Sequence, residues 1–367
     1  MSNRKRIVVS LIVLAVACVF FLDILDLKHQ KLYGLSAPTA DQAANQCINA
    51  AKKASGTCDL TFLAGKQSFF GQVSVGDGAG SPVNVIFPAS CYWEFSLTGG
   101  NKSAIEVFDH ASISGIAPPF GCKIVNTSEP GGAEYMFRDS GDAYVRAGGF
   151  TIVNQVATAG GAACYVPGAL DNSYFHDIEC FNYVPTEDDW RVGGDGRPCC
   201  GATFARITAD SGYTGGVPFH IVGNSHGTPN AIMIQGASLG HPAPGVPNFL
   251  CSDTSAIHNT DVWMAGVYEE GSNDDDHTPM NQVEGCGQLT VTGMTVKAET
   301  PDSRAPIWSF TNDAETSFDI SGLYAILGFE PPIVAIETHI PSPTCLKPPC
   351  NVMVPTHKGT MSHMTLP

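Results

Sequence analysis

The chain has 367 residues, a formal net charge of -16 and a charged fraction of only 15%, with 39 Gly and 25 Pro. This composition argues against a long all-α protein, which carries more charged residues and fewer glycines. The chain has 19 Lys and Arg against 35 Asp and Glu, so it lacks the basic surface that nucleic acid requires. The sequence therefore predicts no nucleic-acid partner.

The N-terminus has the features of an export signal. The basic run Arg4–Arg6 precedes about 16 largely apolar residues at positions 7–22, as in a signal peptide or a short membrane anchor. Residues 1–27 are either a cleaved signal or an uncleaved anchor, and Cys18 after "AVA" makes a lipoprotein a third alternative. We expect a protein that is secreted or anchored to the outer face of the cell membrane, with residues 28–40 as a linker.

Twelve cysteines follow this segment, and an even number in an exported chain predicts disulfides. The expected local pairs are Cys47 with Cys58 and Cys345 with Cys350, because each pair closes a short loop. Zinc is disfavoured because no Cys-x-x-Cys arrangement occurs. The sequence leaves open how the other eight pair: Cys91, Cys122, Cys164, Cys180, Cys199, Cys200, Cys251 and Cys286.

The first predicted element after the linker is a helix at residues 41–55. Asp41 can cap its N-terminus. Four apolar residues recur at helical spacing on one face, namely Ala44, Cys47, Ile48 and Ala51. After Gly56 the sequence changes to short β-prone runs separated by Gly, Asn, Asp and Pro.

These β-prone runs share a shape in which alternating apolar residues flank a small or polar residue. Examples are "VRAGGFTIV" around Gly149, "IMIQGASL" around Gly236 and "LTVTGMTVK" around Gly293. Eight such runs occur, and consecutive centres lie about 25 to 34 residues apart, as in stacked repeats. No run can bury its apolar side alone. The sequence therefore predicts an all-β protein, a right-handed parallel β-helix over residues 41–329. The helix caps its N-terminal end and the Pro-rich residues 330–367 its C-terminal end.

The segment "DQAANQCINAAKKASGTCDLTFLAGKQSF" joins a short Ala-rich helix, a Gly turn and a strand with an Ala-Gly step. It resembles the opening of the pectate-lyase-like superfamily of right-handed parallel β-helix proteins, and "YVRAGGFTIVN" and "LTVTGMTVK" resemble its coil signatures. The resemblance extends over residues 41–327. It implies glycan handling, since the superfamily includes polysaccharide lyases, polygalacturonase-like hydrolases, tailspike-like proteins and non-catalytic adhesins.

Asn259-Thr260-Asp261 is similar to the first catalytic tripeptide of the polygalacturonases. In that family an Asp pair follows about one coil later, and then Gly-His-Gly and Arg-x-Lys. Here the Asp run at 274–276 follows too soon, Gly285-Cys286-Gly287 stands in place of Gly-His-Gly, and no Arg-x-Lys follows. The resemblance therefore carries over only to Asp261.

Two acidic stretches supply the candidate catalytic residues. Glycoside hydrolysis needs two carboxyl groups about 5 Å apart for retention or about 6.5 to 9.5 Å apart for inversion. Strands of neighbouring coils lie about 4.8 Å apart, so acids on nearby coils can form such a pair. The candidates are Asp261, Glu269 and Glu270 with Asp188 or Asp189, and the substrate-binding candidates are Trp190, Trp263, Tyr268 and Arg191. The alternative is that both stretches are solvated turns.

A cation site is a further hypothesis. Asp274, Asp275 and Asp276 crowd oxygen ligands into one loop and predict calcium, although the run lacks the spaced Asp-x-Asp-x-Asp-Gly arrangement. The histidines, including His220 and His241, stand on separate turns with no partner at metal-ligand spacing. The sequence therefore assigns them structural or exposed roles.

Two functions of different classes follow from these patterns. The first is an exported carbohydrate-active enzyme, a glycoside hydrolase or polysaccharide lyase acting on an extracellular polysaccharide. The second is a non-catalytic surface adhesin or glycan-binding protein that uses the same rod. The lack of an intact catalytic motif favours the second, and long polar loops beside tryptophans favour the first. Both functions have a polysaccharide as partner.

Overall fold

The computed structural model describes the chain from residue 37 onward, with gaps. Full description covers residues 37–77, 79, 81–140, 144–167, 172–194, 201–223, 231–253, 260–271, 278–284 and 286–298. Beyond these it describes the strands at 308–311, 317–321, 324–326, 336–338, 350–355 and 361–366. The predicted signal or anchor, the Asp274–Asp276 run, and Cys199, Cys200 and Cys345 lie outside the described residues.

Helix α1 (Ala40–Lys53) confirms the predicted N-terminal helix. Asp41 lies in its first turn and Lys52 and Lys53 in its last, where each charge opposes the helix dipole. The buried residues Ala44 and Ile48 pack into the hydrophobic core that the strands form. No helix among the described residues is both long enough and apolar enough to cross a membrane.

The strands form a parallel β-solenoid, as predicted, and the solenoid has three faces. Each coil places one strand in face 1, turns a tight corner into face 2, and continues through a loop into face 3. Face 1 contains β1 (Thr57–Asp59), β4 (Val83–Ile86), β7 (Ala111–Ser114), the first part of β10 (Arg146–Asn154) and of β12 (Ser173–Asn182), β14 (Ala202–Ala205), β17 (Ile232–Gln235), β20 (Asp261–Ala265), β23 (Gln288–Thr292), β26 (Ser317–Ser321) and β29 (Cys350–Pro355).

Face 2 contains the second parts of β10 and β12 together with β2 (Gly65–Phe69), β5 (Cys91–Phe95), β8 (Cys122–Asn126), β15 (Thr208–Asp210), β18 (Ser238–Gly240), β21 (Tyr268–Gly271), β24 (Thr295–Ala298) and β27 (Tyr324–Ile326). Face 3 is a ten-stranded sheet of β3 (Val73–Val75), β6 (Ile105–Val107), β9 (Phe137–Asp139), β11 (Ala162–Val166), β13 (Asp188–Gly193), β16 (Phe219–Gly223), β19 (Phe249–Asp253), β22 (Asn281–Glu284), β25 (Trp308–Thr311) and β28 (Ile336–Thr338). Within the predicted C-terminal cap, β30 (Met361–Leu366) runs antiparallel to β29.

The core is the interior of the solenoid, and alternation along each strand selects the residues that enter it. In β17, Ile232 and Ile234 are buried while Met233 and Gln235 face outward. Inward residues of successive coils stack, as Phe175 does on Phe204 with ring centroids 5.1 Å apart. Burying such a side chain contributes about 1.5 to 3 kcal/mol, so the stacked interior holds the coils together.

The repeat centres recognised in the sequence are the corners between faces 1 and 2. Gly149, Gly236 and Gly293 stand there with φ of 81°, 58° and 66°, a left-handed conformation in which glycine has no steric cost. Asp177 and Arg206, both at φ 51°, occupy the same corner in two intervening coils. The Arg206 side chain pairs with both carboxylate oxygens of Asp177, at 2.7 and 2.6 Å.

Three disulfides connect described residues and fit an oxidising, extracytoplasmic setting. The predicted pair Cys47–Cys58 is confirmed and ties α1 to β1. The other two are Cys91–Cys122, between adjacent face 2 strands, and Cys251–Cys286. Cys164 and Cys180 are buried thiols whose sulfur atoms lie 2.9 Å apart.

Candidate functional site

Three of the acids predicted as catalytic lie on different faces of the solenoid, Asp261 and Glu270 half-buried and Asp188 buried. Asp261 faces outward from β20 in face 1, and Glu270 faces outward from β21 in face 2, across the corner at Gly266. Asp188 begins β13 in face 3. These three carboxyl groups therefore belong to three different faces, and no two of them share one.

The other two predicted acids lie inside the solenoid. Glu269 is 0% exposed, Asn281 Nδ2 donates a hydrogen bond of 2.8 Å to it, and burial raises the pKa of Glu269 to about 8. Asp189 is also 0% exposed, Ser211 Oγ donates a hydrogen bond of 2.9 Å to it, and burial raises the pKa of Asp189 well above its usual range. Because an enclosed carboxyl cannot contact a polymer, we place both in the interior rather than at a catalytic site.

Of the two tryptophans predicted to stack on sugars, one is buried and the other is accessible. Trp190 is fully buried and packs against Phe204 with ring centroids 5.5 Å apart, so its ring does not reach the surface. Trp263 is half-buried on the outer side of face 1, two residues after Asp261. Partial burial raises the pKa of Asp261. Asp261 and Trp263 therefore remain together on one accessible face.

Tyr268 and Glu270 belong to a local polar network on face 2. The Tyr268 hydroxyl donates a hydrogen bond of 3.2 Å to Glu270, and Lys297 of the next coil forms an ion pair with the same carboxylate. Glu270 is thus engaged by two neighbours. This arrangement fits a structural surface network better than a free catalytic acid.

Face 3 carries a hydrogen-bonded chain of aspartate, histidine and serine. Asp188 Oδ2 lies 2.8 Å from His220 Nδ1, and His220 Nε2 lies 3.0 Å from Ser252 Oγ. Ser252 is half-buried, the His220 side chain is 18% exposed and that of Asp188 is 6% exposed. The serine and the imidazole are therefore partly accessible, whereas the carboxylate is shielded from solvent. We call Asp188, His220 and Ser252 the triad.

Strand register brings the triad together. Each member lies 32 residues from the next, so the three side chains belong to consecutive coils. His220 of β16 is paired with Leu250 of β19, and Ser252 follows two positions later on the same outer side. The imidazole reaches this residue diagonally. The position of the imidazole between Asp188 and Ser252 thus depends on the alignment of β13, β16 and β19.

Arg191 and the backbone around Asp188 fix the carboxylate. Arg191 Nε donates a hydrogen bond of 2.8 Å to Asp188 Oδ2, and its terminal nitrogens donate to the carbonyl oxygens of Gly160 and Gly161 at 2.9 and 2.8 Å. Arg191 was predicted to bind substrate. All three of these bonds are made within the protein, so it acts here as an anchor for Asp188.

A buried asparagine ladder supports the same turn. Asn126 donates to Asn154 at 2.7 Å, and Asn154 donates to Asn182 at 3.0 Å. Asn182 Nδ2 in turn donates to the backbone carbonyls of Glu187 and Asp188, both at 3.0 Å. These bonds satisfy polar groups that would otherwise be buried without partners. The ladder thereby holds the chain at the start of β13, where the triad begins.

The structure gives two of the histidines, to which the sequence assigned structural or exposed roles, an aspartate partner each. His220 is bonded to Asp188, and His241 Nδ1 lies 3.0 Å from Asp210 Oδ2. Spacing within one turn of the sequence does not indicate either pair, because each aspartate lies a full coil before its histidine. Alignment of "DDWRVGG", "PFHIVGN" and "NFLCSD" by their inward aromatic residue would have placed His220 one coil before the strand of Ser252.

Among the described residues, no group of three or more His, Cys, Asp or Glu side chains is placed to hold a metal ion. The predicted calcium ligands Asp274–Asp276 are not among those residues. Comparison with known proteins finds no family model, no curated protein and no solved structure that matches the chain. The function must therefore be argued from the geometry of the site itself.

The triad has the geometry for nucleophilic catalysis. With its proton on Nδ1, His220 donates to Asp188 and accepts the Ser252 hydroxyl proton at Nε2. A serine hydroxyl is a weak nucleophile until such a base removes its proton. The same constellation occurs on unrelated folds and is recognised by geometry and not by sequence position. The arrangement suits acyl transfer from an ester.

Proposed function

We propose that this protein is an exported serine-type ester hydrolase that removes acyl groups from an extracellular polysaccharide. The observation that carries the proposal is the continuous hydrogen-bonded chain from Ser252 Oγ through His220 to Asp188, at 3.0 and 2.8 Å. Parallel coils stapled by disulfides give these side chains a rigid support. This activity falls within the carbohydrate-active class that the pectate-lyase-like resemblance implies.

The reaction proceeds in two balanced halves. As the bond from Ser252 Oγ to the ester carbonyl carbon forms, the hydroxyl proton passes to His220 Nε2 and the carbonyl electron pair moves onto oxygen. Collapse of this intermediate breaks the bond to the alcohol, which takes the proton from His220. Water then attacks the acyl-serine in the same manner and releases the carboxylic acid and free Ser252. Asp188 stabilises the imidazolium that forms in each half.

A polysaccharide substrate is supported by the surface beside the triad. Tyr165 of β11 is in register with Arg191, and its ring stacks on Tyr135 with centroids 4.6 Å apart. Tyr135 is half-buried at the surface. An aromatic ring beside polar groups suits a sugar, which has apolar faces and a rim of hydroxyl groups. The net charge of -16 disfavours polyuronates, so we expect a neutral chain bearing acyl esters.

Covalent labelling tests this function most directly. A fluorophosphonate probe is expected to label wild-type protein at Ser252, and Ser252→Ala is expected to abolish both the label and release of acetate from acetylated xylan. Asp188→Asn should lower kcat on the order of 10⁴-fold, because the imidazole loses its orienting carboxylate. Ser112→Ala is the matched control, since Ser112 lies on face 1 and bonds Asn84 at 2.8 Å. Labelling that persists in Ser252→Ala contradicts the proposal.

A glycoside hydrolase or lyase acting through Asp261 is the second candidate. It is favoured by the raised pKa of Asp261, which suits a general acid, and by Trp263 on the same accessible face. A reducing-sugar and unsaturated-uronate screen over plant and bacterial polysaccharides tests it, with Asp261→Ala expected to abolish the activity. Binding to a polysaccharide with neither bond cleavage nor ester hydrolysis would instead support the non-catalytic adhesin.

A further inference from the structure

Ser252 lies between two outward side chains that occupy equivalent positions on the coils before and after it. His220 and Gln282 are both paired with Leu250, one from β16 and the other from β22. Relative to Ser252, His220 therefore lies one coil earlier and Gln282 one coil later. Both are level with Leu250, two residues before Ser252. The His220 side chain spans this diagonal and contacts Ser252 Oγ at 3.0 Å. A glutamine side chain is long enough to approach Ser252 from the opposite coil.

Glu284 draws the Gln282 amide toward Ser252. Gln282 Nε2 donates a hydrogen bond of 2.5 Å to Glu284 Oε1, and Glu284 is the residue paired with Ser252 across the sheet. The side chain of Gln282 consequently runs along β22 from the level of Leu250 to the level of Ser252. Gln282 and Glu284 are both half-buried on the outer side of face 3.

We propose that Gln282 is a further catalytic residue, the donor that stabilises the oxyanion formed when Ser252 attacks an ester. This inference rests on the proposed ester hydrolysis. A primary amide has two N–H groups, and the bond to Glu284 uses one of them. The other donates to the carbonyl oxygen as negative charge develops there. His220 supplies the base from one side of Ser252 and Gln282 the oxyanion donor from the other.

Glu284 acts as a positioning residue in this arrangement. Its hydrogen bond restricts rotation of the amide, so the donor is oriented before the reaction begins, which is the condition under which such donors are most effective. Glu284 carries negative charge close to the oxyanion. The N–H group that Gln282 donates to Glu284 offsets part of this charge.

Steady-state kinetics of Gln282→Met on p-nitrophenyl acetate tests the proposal, because Met preserves the size of the side chain and removes both N–H groups. Loss of one oxyanion donor is expected to lower kcat about 10²- to 10³-fold, with KM within about twofold because the charge exists only in the transition state. The rate of fluorophosphonate labelling is expected to fall as well. Gln288→Met is the matched control, since Gln288 lies on face 1.

Glu284 variants separate positioning from a purely structural role. Glu284→Ala is expected to lower kcat with little change in KM, whereas Glu284→Gln, which keeps an acceptor oxygen, is expected to recover most of the rate. Thermal unfolding of each variant identifies any loss of fold. A Gln282→Met variant that is folded and retains wild-type kcat overturns the oxyanion role while the ester hydrolase stands. Wild-type protein that neither reacts with the probe nor cleaves any ester overturns both.

Discussion

Replacing Glu269 by Gln is expected to remove a pH-dependent loss of stability. Burial raises the pKa of Glu269 from 4.5 to about 8 in the folded chain, so between these values the folded state holds a proton that the unfolded state releases. The stability that this carboxyl contributes is fully present below about pH 4.5 and is lost as the pH rises toward about 8. The Gln side chain does not titrate and has nearly the same shape.

The size of the effect follows from the shift. One pKa unit corresponds to about 1.36 kcal/mol. The shift from 4.5 to about 8 is about 3.5 units, which is on the order of 5 kcal/mol between the acid and alkaline limits. Asp189 is buried with a pKa raised in the same direction. Its contribution is common to the wild type and the variant, and it cancels in their difference.

Urea denaturation followed by tryptophan fluorescence measures this difference, at about pH 5 and about pH 9 with the disulfides intact. The free energy of unfolding of Glu269→Gln, taken relative to that of wild type, is expected to be several kcal/mol higher at about pH 9 than at about pH 5. Glu94→Gln is the control, because Glu94 is paired with Lys66 at the surface, at 2.9 Å. If the free-energy difference between Glu269→Gln and wild type is the same at both pH values, the carboxyl of Glu269 is not neutral in the folded protein.

Three further predictions concern the interior. The sulfur atoms of Cys164 and Cys180 lie 2.9 Å apart, and we expect them to form a disulfide in protein purified from an oxidising compartment. Peptide mapping without reduction measures this, and two free thiols would contradict the prediction. Asn154→Ala is expected to lower the free energy of unfolding by about 2 to 6 kcal/mol, because Asn126 and Asn182 each lose a buried hydrogen bond worth about 1 to 3 kcal/mol. Urea denaturation that shows no change would contradict the buried ladder. Phe204→Ala is expected to cost about 3 to 5 kcal/mol through the cavity it leaves, measured in the same way, and a loss below about 1 kcal/mol would mean that the core closes over the site.

The solenoid could be predicted from the sequence because local chemistry determines it. Alternation of inward and outward residues, as in Ile232 to Gln235, recurs along the coils, and glycine marks many of the left-handed corners, as at Gly149 and Gly293. The helix needed only its apolar spacing and its terminal charges. Each of these signals lies within a few residues of chain.

The candidate site was decided by tertiary structure. Asp188 and Asp189 are adjacent in sequence, yet one reaches His220 at the surface and the other is enclosed beside Ser211. Regular alternation fails at this point, because Asp188, Asp189 and Trp190 are buried one after another at the start of β13. The triad additionally requires strands β13, β16 and β19 of successive coils to stack with Arg191 beside His220 and His220 beside Leu250. That register is set by burial of the whole core. Sequence alone therefore determined the repeating backbone, whereas contacts between residues a full coil apart determined which side chains meet.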